Sequence, residues 1–416
     1  MAIGDWRFTR WATGVLLLWA LTVQAFAQQS SPSAPAEPPP PREDTRTQYP
    51  PFLANSYFSV NVGSLFYAFA QRQLEPGFLA GSTAAPHAAA RVALFGHELT
   101  PAVSVEVTYM RPVRFVTYRN INGDEQAHHV WTGFGGAAVK GRAPIAGRTS
   151  IYGEAGLGIA SRHGFTRDGA PIVRDATYAS LLLGAGAEYH LSSTRDLTAG
   201  ATFLPSNARN HGSRAVMVDG GFRYTMRPLP QARVDANRQG GFLFREHLFQ
   251  IEYSTGSGYA INTFLSTKVP VFWEGNVRVD RGVAIHYDRN VFHTRRIFAL
   301  DLGTSVSVWR SRINGQGFGT VSVYPLLRFT PVRTKPADVY FCYSLAGPTY
   351  MSARTLDGRD LGSRFTFQDF MGAGAFIGRD KRTTVGVKIN HYSNGNLFSE
   401  NAGVMVPVTF TVGRAF

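Results

Sequence analysis

The sequence has a single cysteine, Cys342, in 416 residues, so no disulfide within the chain can stabilise it. After residue 27 it also lacks any apolar run of about 18 residues, which excludes membrane-spanning helices from that part of the chain. Only 17% of the residues are charged, and no basic stretch favours a helix, so we expect no nucleic-acid partner despite a net charge of +14. No group of cysteines and histidines has zinc-site spacing, and we expect neither a metal nor a cofactor.

The N-terminus has the pattern of a secretory signal peptide over residues 1–27. Arg7 and Arg10 precede the apolar stretch "ATGVLLLWALTVQAF", and "AFA" before Gln28 has the small-x-small form of a cleavage site. Residues 28–51 follow with eight prolines and few apolar side chains, which predicts an extended, disordered tether.

Glycine and aromatic residues are abundant, and the dominant pattern after residue 51 is an alternation with a period of two. In "YFSVNVGSLF" the large side chains of Phe58, Val60 and Val62 alternate with smaller ones. Eight such segments follow one another up to residue 226, and the connections between them are alternately long and short. Long loops on one rim and tight turns on the other are typical of a membrane-spanning β-barrel.

The pattern restarts after a linker at residues 227–246 and gives eight more segments. The final one alternates from Val404 to Val412 and ends on Phe416, which resembles the terminal signal of bacterial outer-membrane barrels. We therefore predict an all-β protein of two tandem antiparallel eight-stranded transmembrane barrels, residues 52–226 and 247–416, in the outer membrane of a Gram-negative bacterium. A single sixteen-stranded barrel is the alternative.

The segment "TTVGVKINHYSNGNLFSEN" places a histidine and a serine on the lipid-facing side of a predicted strand, residues 383–393. Val385 and Val387 face lipid in this register, and His391 and Ser393 continue it. Residues two apart lie on one face, about 6–7 Å from each other along a strand. The strand count puts this end of the strand at the external rim, beside acyl chains and sugar headgroups.

A serine hydroxyl needs a neighbouring base to become a nucleophile, and a neutral histidine can take its proton. We interpret Ser393 as the candidate nucleophile and His391 as the candidate general base. The Asn394 side chain and the backbone N–H groups around Gly395 would stabilise the oxyanion. The substrate at this depth would be an acyl ester of outer-leaflet lipid. Histidine and serine also commonly occupy strand ends at the headgroup level, so a purely structural role remains open.

The motif "INHYSNGN…NAG", followed by a terminal barrel strand, resembles the outer-membrane lipid A 3-O-deacylase family (PagL) over roughly residues 245–416. The resemblance implies that Ser393 attacks the ester of a 3-hydroxyacyl chain of lipid A, with His391 as base. The family's orienting acid would fall at Met405, which cannot accept a hydrogen bond from an imidazole N–H. Met405 also falls on the inward register unless a β-bulge intervenes, and Glu400 is the nearest carboxylate that could substitute.

The positive charge suggests an anionic partner, and the phosphates of lipid A or lipopolysaccharide fit best, although basic loops can also serve only to solvate a protein. A homodimer is possible. The arginines expected near the external rim are Arg310, Arg312, Arg354, Arg359 and Arg364. The rival function is a non-catalytic barrel, a scaffold or a small-solute pore, in which "HYSN" only lines the interface.

The first predicted barrel contains two similar patterns. His190 and Ser192 have the same spacing but precede a tight turn at the periplasmic rim, and we assign them no chemistry. Ser206 and Asn207 occupy the place that corresponds to Ser393 and Asn394, with Leu204 where the histidine would be. This similarity is too short to distinguish an old duplication from chance.

Overall fold

The structure, a computed structural model, describes residues 44–67, 69, 71–240, 244–268, 275–395, 397–398 and 400–416. Apart from Asp44, they belong to the second of two compact units, Thr45–Phe416. The predicted signal peptide and residues 28–43 of the predicted tether lie outside the described residues. None of the described helices is long and apolar enough to cross a membrane.

The N-terminal half is built almost entirely of antiparallel strands that connect to their sequence neighbours. A short 3-10 helix at Thr45–Thr47 precedes the first strand, and another at Gln71–Gln73 follows it. The strands are β1 (Ser56–Tyr67), β2 (Ala80–Ala84), β3 (Ala88–Glu98), β4 (Val103–Pro112), β5 (Val116–Ile121), β6 (Asp124–Ala146), β7 (Thr149–His163), β8 (Phe165–Arg167), β9 (Ala170–Val173), β10 (Ala176–His190), β11 (Arg195–Leu204) and β12 (Ala215–Met226).

Eight of these strands form the predicted N-terminal barrel, in the order β1-β3-β4-β6-β7-β10-β11-β12, and β12 pairs back onto β1. The pairing circuit is complete. The predicted long loops are more ordered than the sequence pattern indicated, because β2 and β5 extend the sheet from β6, and β8 and β9 form a separate hairpin. These short strands lack the long alternation on which the prediction was based.

The C-terminal half forms a second, separate barrel. Two helices, α1 (Gln231–Arg238) and α2 (Tyr259–Lys268), lie before and after its first strand. The strands are β13 (His247–Ser254), β14 (Val277–His293), β15 (Phe298–Ser311), β16 (Gly317–Arg333), β17 (Ala337–Met351), β18 (Thr355–Leu356), β19 (Arg359–Asp360), β20 (Phe365–Ile377), β21 (Thr383–Ser393) and β22 (Val404–Ala415).

The C-terminal barrel closes through eight of these strands, β13-β14-β15-β16-β17-β20-β21-β22, while β18 and β19 form a small hairpin beyond the rim. The prediction of two tandem eight-stranded barrels is therefore confirmed, and the alternative of one sixteen-stranded barrel is wrong. The eight predicted segments of this half agree with the observed strands to within a few residues, since each strand has one lipid-facing and one interior face.

Side chains fill the interior of the C-terminal barrel. His286 donates or accepts at both ring nitrogens, with Tyr324 at 2.8 Å and Glu252 at 2.8 Å. Arg328 forms an ion pair with Asp301 in the same interior. On the outer face apolar residues such as Val306 are about half exposed, as expected for contact with lipid. An eight-stranded barrel packed in this way leaves no open channel, which argues against the pore among the rival functions.

The rim with the short turns also carries the chain segment before β1. The Gln48 side chain donates to the Leu229 carbonyl at 3.0 Å and accepts from the Leu229 N–H at 2.8 Å. The Tyr49 ring lies 4.6 Å from that of Phe292, between centroids. The last residues of the predicted tether are therefore packed against the barrels rather than extended, because Gln48 and Tyr49 bond and stack there.

Candidate functional site

The predicted histidine and serine lie at the C-terminal end of β21, in the predicted register. Tyr392, between them, points into the barrel, where its hydroxyl accepts from Trp309 Nε1 and Gln368 Nε2, both at 3.2 Å. His391 and Ser393 therefore face outward, on the same side as Val385. Whereas Val385 is 42% exposed to the lipid side, His391 is only 1% exposed. The candidate base is consequently enclosed by protein at the rim and is not in open contact with lipid.

A β-bulge in β22 decides what lies beside His391. The ladder between β21 and β22 shifts register between the pairs Lys388–Thr409 and Asn390–Val406, which leaves two residues of β22, one of them Pro407, opposite one. Proline has no N–H for the ladder, so a bulge at this position is expected. Beyond the bulge Met405 pairs directly with His391 and shares its outward face. The position that the resemblance gives to the orienting acid is thus in place and holds a thioether.

The carboxylate next to His391 comes from the other neighbouring strand. Asp369 of β20 pairs with His391, and its Oδ2 lies 3.9 Å from His391 Nδ1. Its Oδ1 accepts a 2.6 Å hydrogen bond from the N–H of Ala346, at an irregularity in β17. Asp369 is therefore fixed beside the imidazole, at ion-pair distance. Asp369 was not predicted from the sequence, although counting back from the tight turn after Ile377 pairs residue 369 with residue 391.

Glu400, the predicted substitute acid, points elsewhere. Its side chain is exposed and shares a hydrogen bond with Asp175, in the loop before β10 of the N-terminal barrel. Partial burial raises the pKa of Glu400, and repulsion by the Asp175 carboxylate raises it further. Because the loop after Ser393 folds toward β10, Glu400 lies at the neighbouring barrel. The carboxylate beside His391 is that of Asp369, which strand pairing places there.

Ser393 is partly buried, and its hydroxyl oxygen lies 3.4 Å from the backbone nitrogen of Gly395, which donates to it. Within the described part of the chain, no hydrogen bond joins this hydroxyl to the His391 ring. Catalytic hydrogen bonds are often long in the absence of substrate, and rotation about one side-chain bond moves a serine hydroxyl. The Gly395 N–H is therefore directed at the Ser393 hydroxyl oxygen.

Asn394 has a different position from the one predicted. Its side-chain nitrogen donates to the carbonyls of Leu361, at 2.8 Å, and Glu400, at 2.6 Å. Its backbone N–H donates to Asn401 Oδ1 at 3.1 Å. Both donor groups are engaged within the protein, so Asn394 holds the loop closed and does not offer a donor to an oxyanion in this arrangement.

An aromatic surface borders the hydroxyl. Phe367 of β20 pairs with Ser393, and its ring contacts that of Phe365 edge-on, with centroids 5.2 Å apart. Phe365 is 43% exposed and pairs in turn with Tyr350, which is 54% exposed. We call these three residues the aromatic platform. These rings form a largely exposed aromatic surface on the outer face of the barrel beside Ser393.

The rim above the aromatic platform is basic. The Arg364 side chain is exposed and donates to the Tyr350 hydroxyl at 3.4 Å. Arg354 forms a bidentate pair with Asp360, at 3.1 and 3.0 Å, which lowers the pKa of that carboxyl. Arg310 and Arg359 are exposed at the same rim. Among the predicted arginines, Arg364 is therefore the one that adjoins both the platform and the solvent.

The loop after Ser393 also contacts the N-terminal barrel. A Cβ placed on Gly135 of β6 would lie 3.3 Å from Leu397 Cδ2, so the Leu397 side chain packs closely against that strand. Asp175, which meets Glu400, is held by the Gly164 N–H at 2.7 Å. Within the described ranges, no group of three or more His, Cys, Asp or Glu side chains is arranged to hold a metal ion.

Comparison with known proteins identifies the region that carries these residues. Residues 273–406 match the family "Lipid A 3-O-deacylase (PagL)", about a third of the chain, and this range contains His391, Ser393 and Asp369. The C-terminal barrel therefore resembles this family over the matched range. The match does not extend to the N-terminal barrel. No curated protein matches the chain.

Three solved structures are similar in part. The outer membrane enzyme PagL is 17% identical, with 41% of this chain and 99% of that one covered and a TM-score of 0.30. Neisserial surface protein A is 14% identical (41% and 97% covered, TM-score 0.27), and the N-terminal β-barrel domain of Pseudomonas aeruginosa OprF is 14% identical (41% and 98% covered, TM-score 0.26). At these TM-scores the fold rests on the strand pairing itself.

Proposed function

Because the region that matches the lipid A 3-O-deacylase family also carries His391 and Ser393 on one face, we propose that this protein is an outer-membrane serine esterase. It removes an ester-linked 3-hydroxyacyl chain from lipid A at the external rim of the C-terminal barrel. The observation that carries the proposal is the shared outward face of Ser393, His391 and Asp369 beside the aromatic platform. Residues 52–226 and 247–416 act as two domains joined by the linker at 227–246.

In the proposed reaction, His391 takes the proton of the Ser393 hydroxyl as that oxygen attacks the ester carbonyl. The negative charge that develops on the carbonyl oxygen is stabilised by the Gly395 N–H. The bond to the sugar oxygen breaks, and His391 returns the proton to that oxygen. Water then cleaves the acyl-serine by the same proton transfers and releases the 3-hydroxy fatty acid.

Asp369 acts in this proposal as a positioning residue. An imidazole that accepts a proton at Nε2 must carry its other hydrogen at Nδ1, and the carboxylate 3.9 Å from Nδ1 favours that tautomer and the imidazolium formed during reaction. Asn394 positions the Gly395 N–H through the hydrogen bonds that close its loop. The aromatic platform receives the acyl chain, and Arg364 attracts a lipid phosphate.

The N-terminal barrel supports this site from one side, since Leu397 packs on Gly135 and Glu400 bonds to Asp175. Its proposed role toward the esterase is to hold the loop that carries the Gly395 N–H. Two observations favour the rival proposal, a non-catalytic scaffold. The distance of 3.9 Å between Asp369 and His391 is longer than a hydrogen bond, and the Ser393 hydroxyl contacts the Gly395 N–H rather than the imidazole.

Mass spectrometry of lipid A separates the two proposals. Cells that produce the intact protein should yield lipid A that lacks one hydroxyacyl chain, and cells that produce Ser393→Ala should yield unchanged lipid A. Ser257→Ala, which changes an exposed serine in the loop before α2, is the matched control and should behave as the intact protein. Heat-modifiable migration in gel electrophoresis checks that each of the three proteins is folded. Unchanged lipid A with all three folded proteins would favour the scaffold.

A further inference from the structure

A second set of serine, histidine and carboxylate side chains lies inside the N-terminal barrel, at the rim with the short turns. Ser150 is the second residue of β7, His190 is the last of β10 and Asp196 is the second of β11, and these three strands are consecutive neighbours in the sheet. Ser150 Oγ lies 2.9 Å from His190 Nε2, and His190 Nδ1 lies 2.6 Å from Asp196 Oδ1. From the sequence, His190 was considered with Ser192 and given no chemistry, because that pair precedes a tight turn at the periplasmic rim. The serine that His190 contacts is Ser150, on another strand.

The order of these contacts is that of a nucleophile, a base and an orienting acid. The carboxylate of Asp196 receives the N–H at Nδ1, which leaves Nε2 as the acceptor for the Ser150 hydroxyl. The other carboxylate oxygen of Asp196 is held by Arg223, at 2.8 Å from Nε and 2.7 Å from an Nη. The acid is therefore held in place. This set is more completely hydrogen-bonded than the one at Ser393.

The three residues open into a cavity. They line an open space of about 850 Å³, together with the turns at 99–102 and 191–193 and with Arg142, Arg148 and Arg227. Cavities of about 300–1,000 Å³ accommodate small organic ligands. Arg142 and Arg227 are paired with Glu98, whereas none of the ion pairs in the described residues includes Arg148. The cavity thus offers an exposed cation near the serine.

The same rim contains a serine–histidine pair without an acid. Ser56 Oγ lies 2.9 Å from His97 Nδ1, and the Ser56 hydroxyl donates to the Phe52 carbonyl. Within the described residues no carboxylate hydrogen bonds to His97. A pair of this kind is sufficient to satisfy buried polar groups at a barrel mouth, so the additional acid and the cavity are what distinguish Ser150.

We propose that Ser150, His190 and Asp196 form a second hydrolase site, which faces the periplasm and cleaves small, water-soluble, anionic carboxylic esters. Ser150 Oγ attacks the ester carbonyl while its proton moves to His190 Nε2, and the leaving alcohol takes that proton as its bond to the carbonyl carbon breaks. Water then cleaves the acyl-serine, which yields a carboxylic acid and restores the hydroxyl. Arg148 attracts the anionic group of the ester. Membrane lipid is excluded as substrate because the site lies inside the barrel.

The test uses the full chain, purified in detergent micelles, in a Ser393→Ala background so that the proposed lipid site contributes nothing. A fluorophosphonate–biotin probe should label Ser150, as located by peptide mass spectrometry, and Ser150→Ala should lose the label. Ser56→Ala is the matched control and should keep it. Hydrolysis of 4-nitrophenyl succinate should fall about 100-fold or more in Ser150→Ala.

The choice of substrate tests the cation separately. Arg148→Ala should weaken hydrolysis of 4-nitrophenyl succinate more than that of neutral 4-nitrophenyl acetate, by about 5- to 10-fold in kcat/KM. The proposal is overturned if folded Ser393→Ala protein carries no label on Ser150. It is also overturned if Ser150→Ala and Ser56→Ala hydrolyse the anionic ester equally fast. Either result would leave the three side chains as a structural network at the rim.

Discussion

Replacing Asp369 with asparagine should slow deacylation strongly while the barrel remains folded. At 3.9 Å from His391 Nδ1, a carboxylate stabilises an imidazolium by about 4 kcal/mol at an effective dielectric constant of about 20. The Asp369 side chain is 20% exposed, so water screens part of this interaction. A residual of about 2–4 kcal/mol corresponds to a fall in kcat of about 30- to 1,000-fold. KM should change little, because the charge matters only when His391 has taken the proton.

The assay is the initial rate of lipid A deacylation by purified protein in micelles, measured by mass spectrometry across pH. Asp369→Glu should recover part of the rate, and Asp360→Asn, at the same rim, should retain it. The pH–rate profile should shift in Asp369→Asn, which a purely structural defect would not produce. The reasoning is refuted if Asp369→Asn matches the intact protein in rate and profile while Glu400→Gln is slow.

Three further results are expected. Adding Met405→Glu to Asp369→Asn should raise the rate at least about tenfold above that of Asp369→Asn alone. Residue 405 pairs with His391 on the same face, so the introduced glutamate carboxylate would orient the ring. An equal rate in the single and the double variant would contradict that placement. Phe367→Ala should lower kcat/KM for long acyl chains by a factor that corresponds to about 1–3 kcal/mol of lost transition-state stabilisation. Phe341→Ala, which removes another lipid-facing ring, should leave kcat/KM unchanged. The raised pKa of Glu400 means that the folded chain binds the Glu400 proton more tightly than the unfolded chain does. The stability that the protonated Glu400 contributes beside Asp175 is therefore complete at low pH. It is lost as the pH rises above 4.5, the ordinary pKa of a glutamate. The unfolding temperature, read from heat-modifiable migration, should therefore depend less on pH in Glu400→Gln than in the intact protein. An equal pH dependence in the two proteins would contradict the contact between Glu400 and Asp175.

The alternation of side chains predicted the strands because lipid on one side and a packed interior on the other impose it residue by residue. Val385 and Val387 therefore identified the lipid-facing register of β21, and the register in turn gave the outward direction of His391 and Ser393. Loops carry no such alternation. The Asn394 hydrogen bonds, which depend on how residues 394–401 fold back, could not be predicted from composition.

The acid was missed because it is adjacent to His391 across the sheet and not along the chain. Asp369 precedes His391 by 22 residues, and the two meet only through the register set by the turn between Ile377 and Thr383. The same limitation applies to Ser150 and His190, which lie 40 residues apart on neighbouring strands. Spacing within one strand therefore predicts only the site residues that lie on that strand. The residues that neighbouring strands contribute follow from the strand pairing.

Hydrolysis of purified lipid A in H₂¹⁸O tests the central claim most directly. The intact protein should release a 3-hydroxy fatty acid with one ¹⁸O in its carboxyl group, because water cleaves the acyl-Ser393 ester. Ser393→Ala should release none. If the intact, folded protein releases no hydroxy acid, or if Ser393→Ala releases it at the same rate, Ser393 is not the nucleophile of a lipid A esterase.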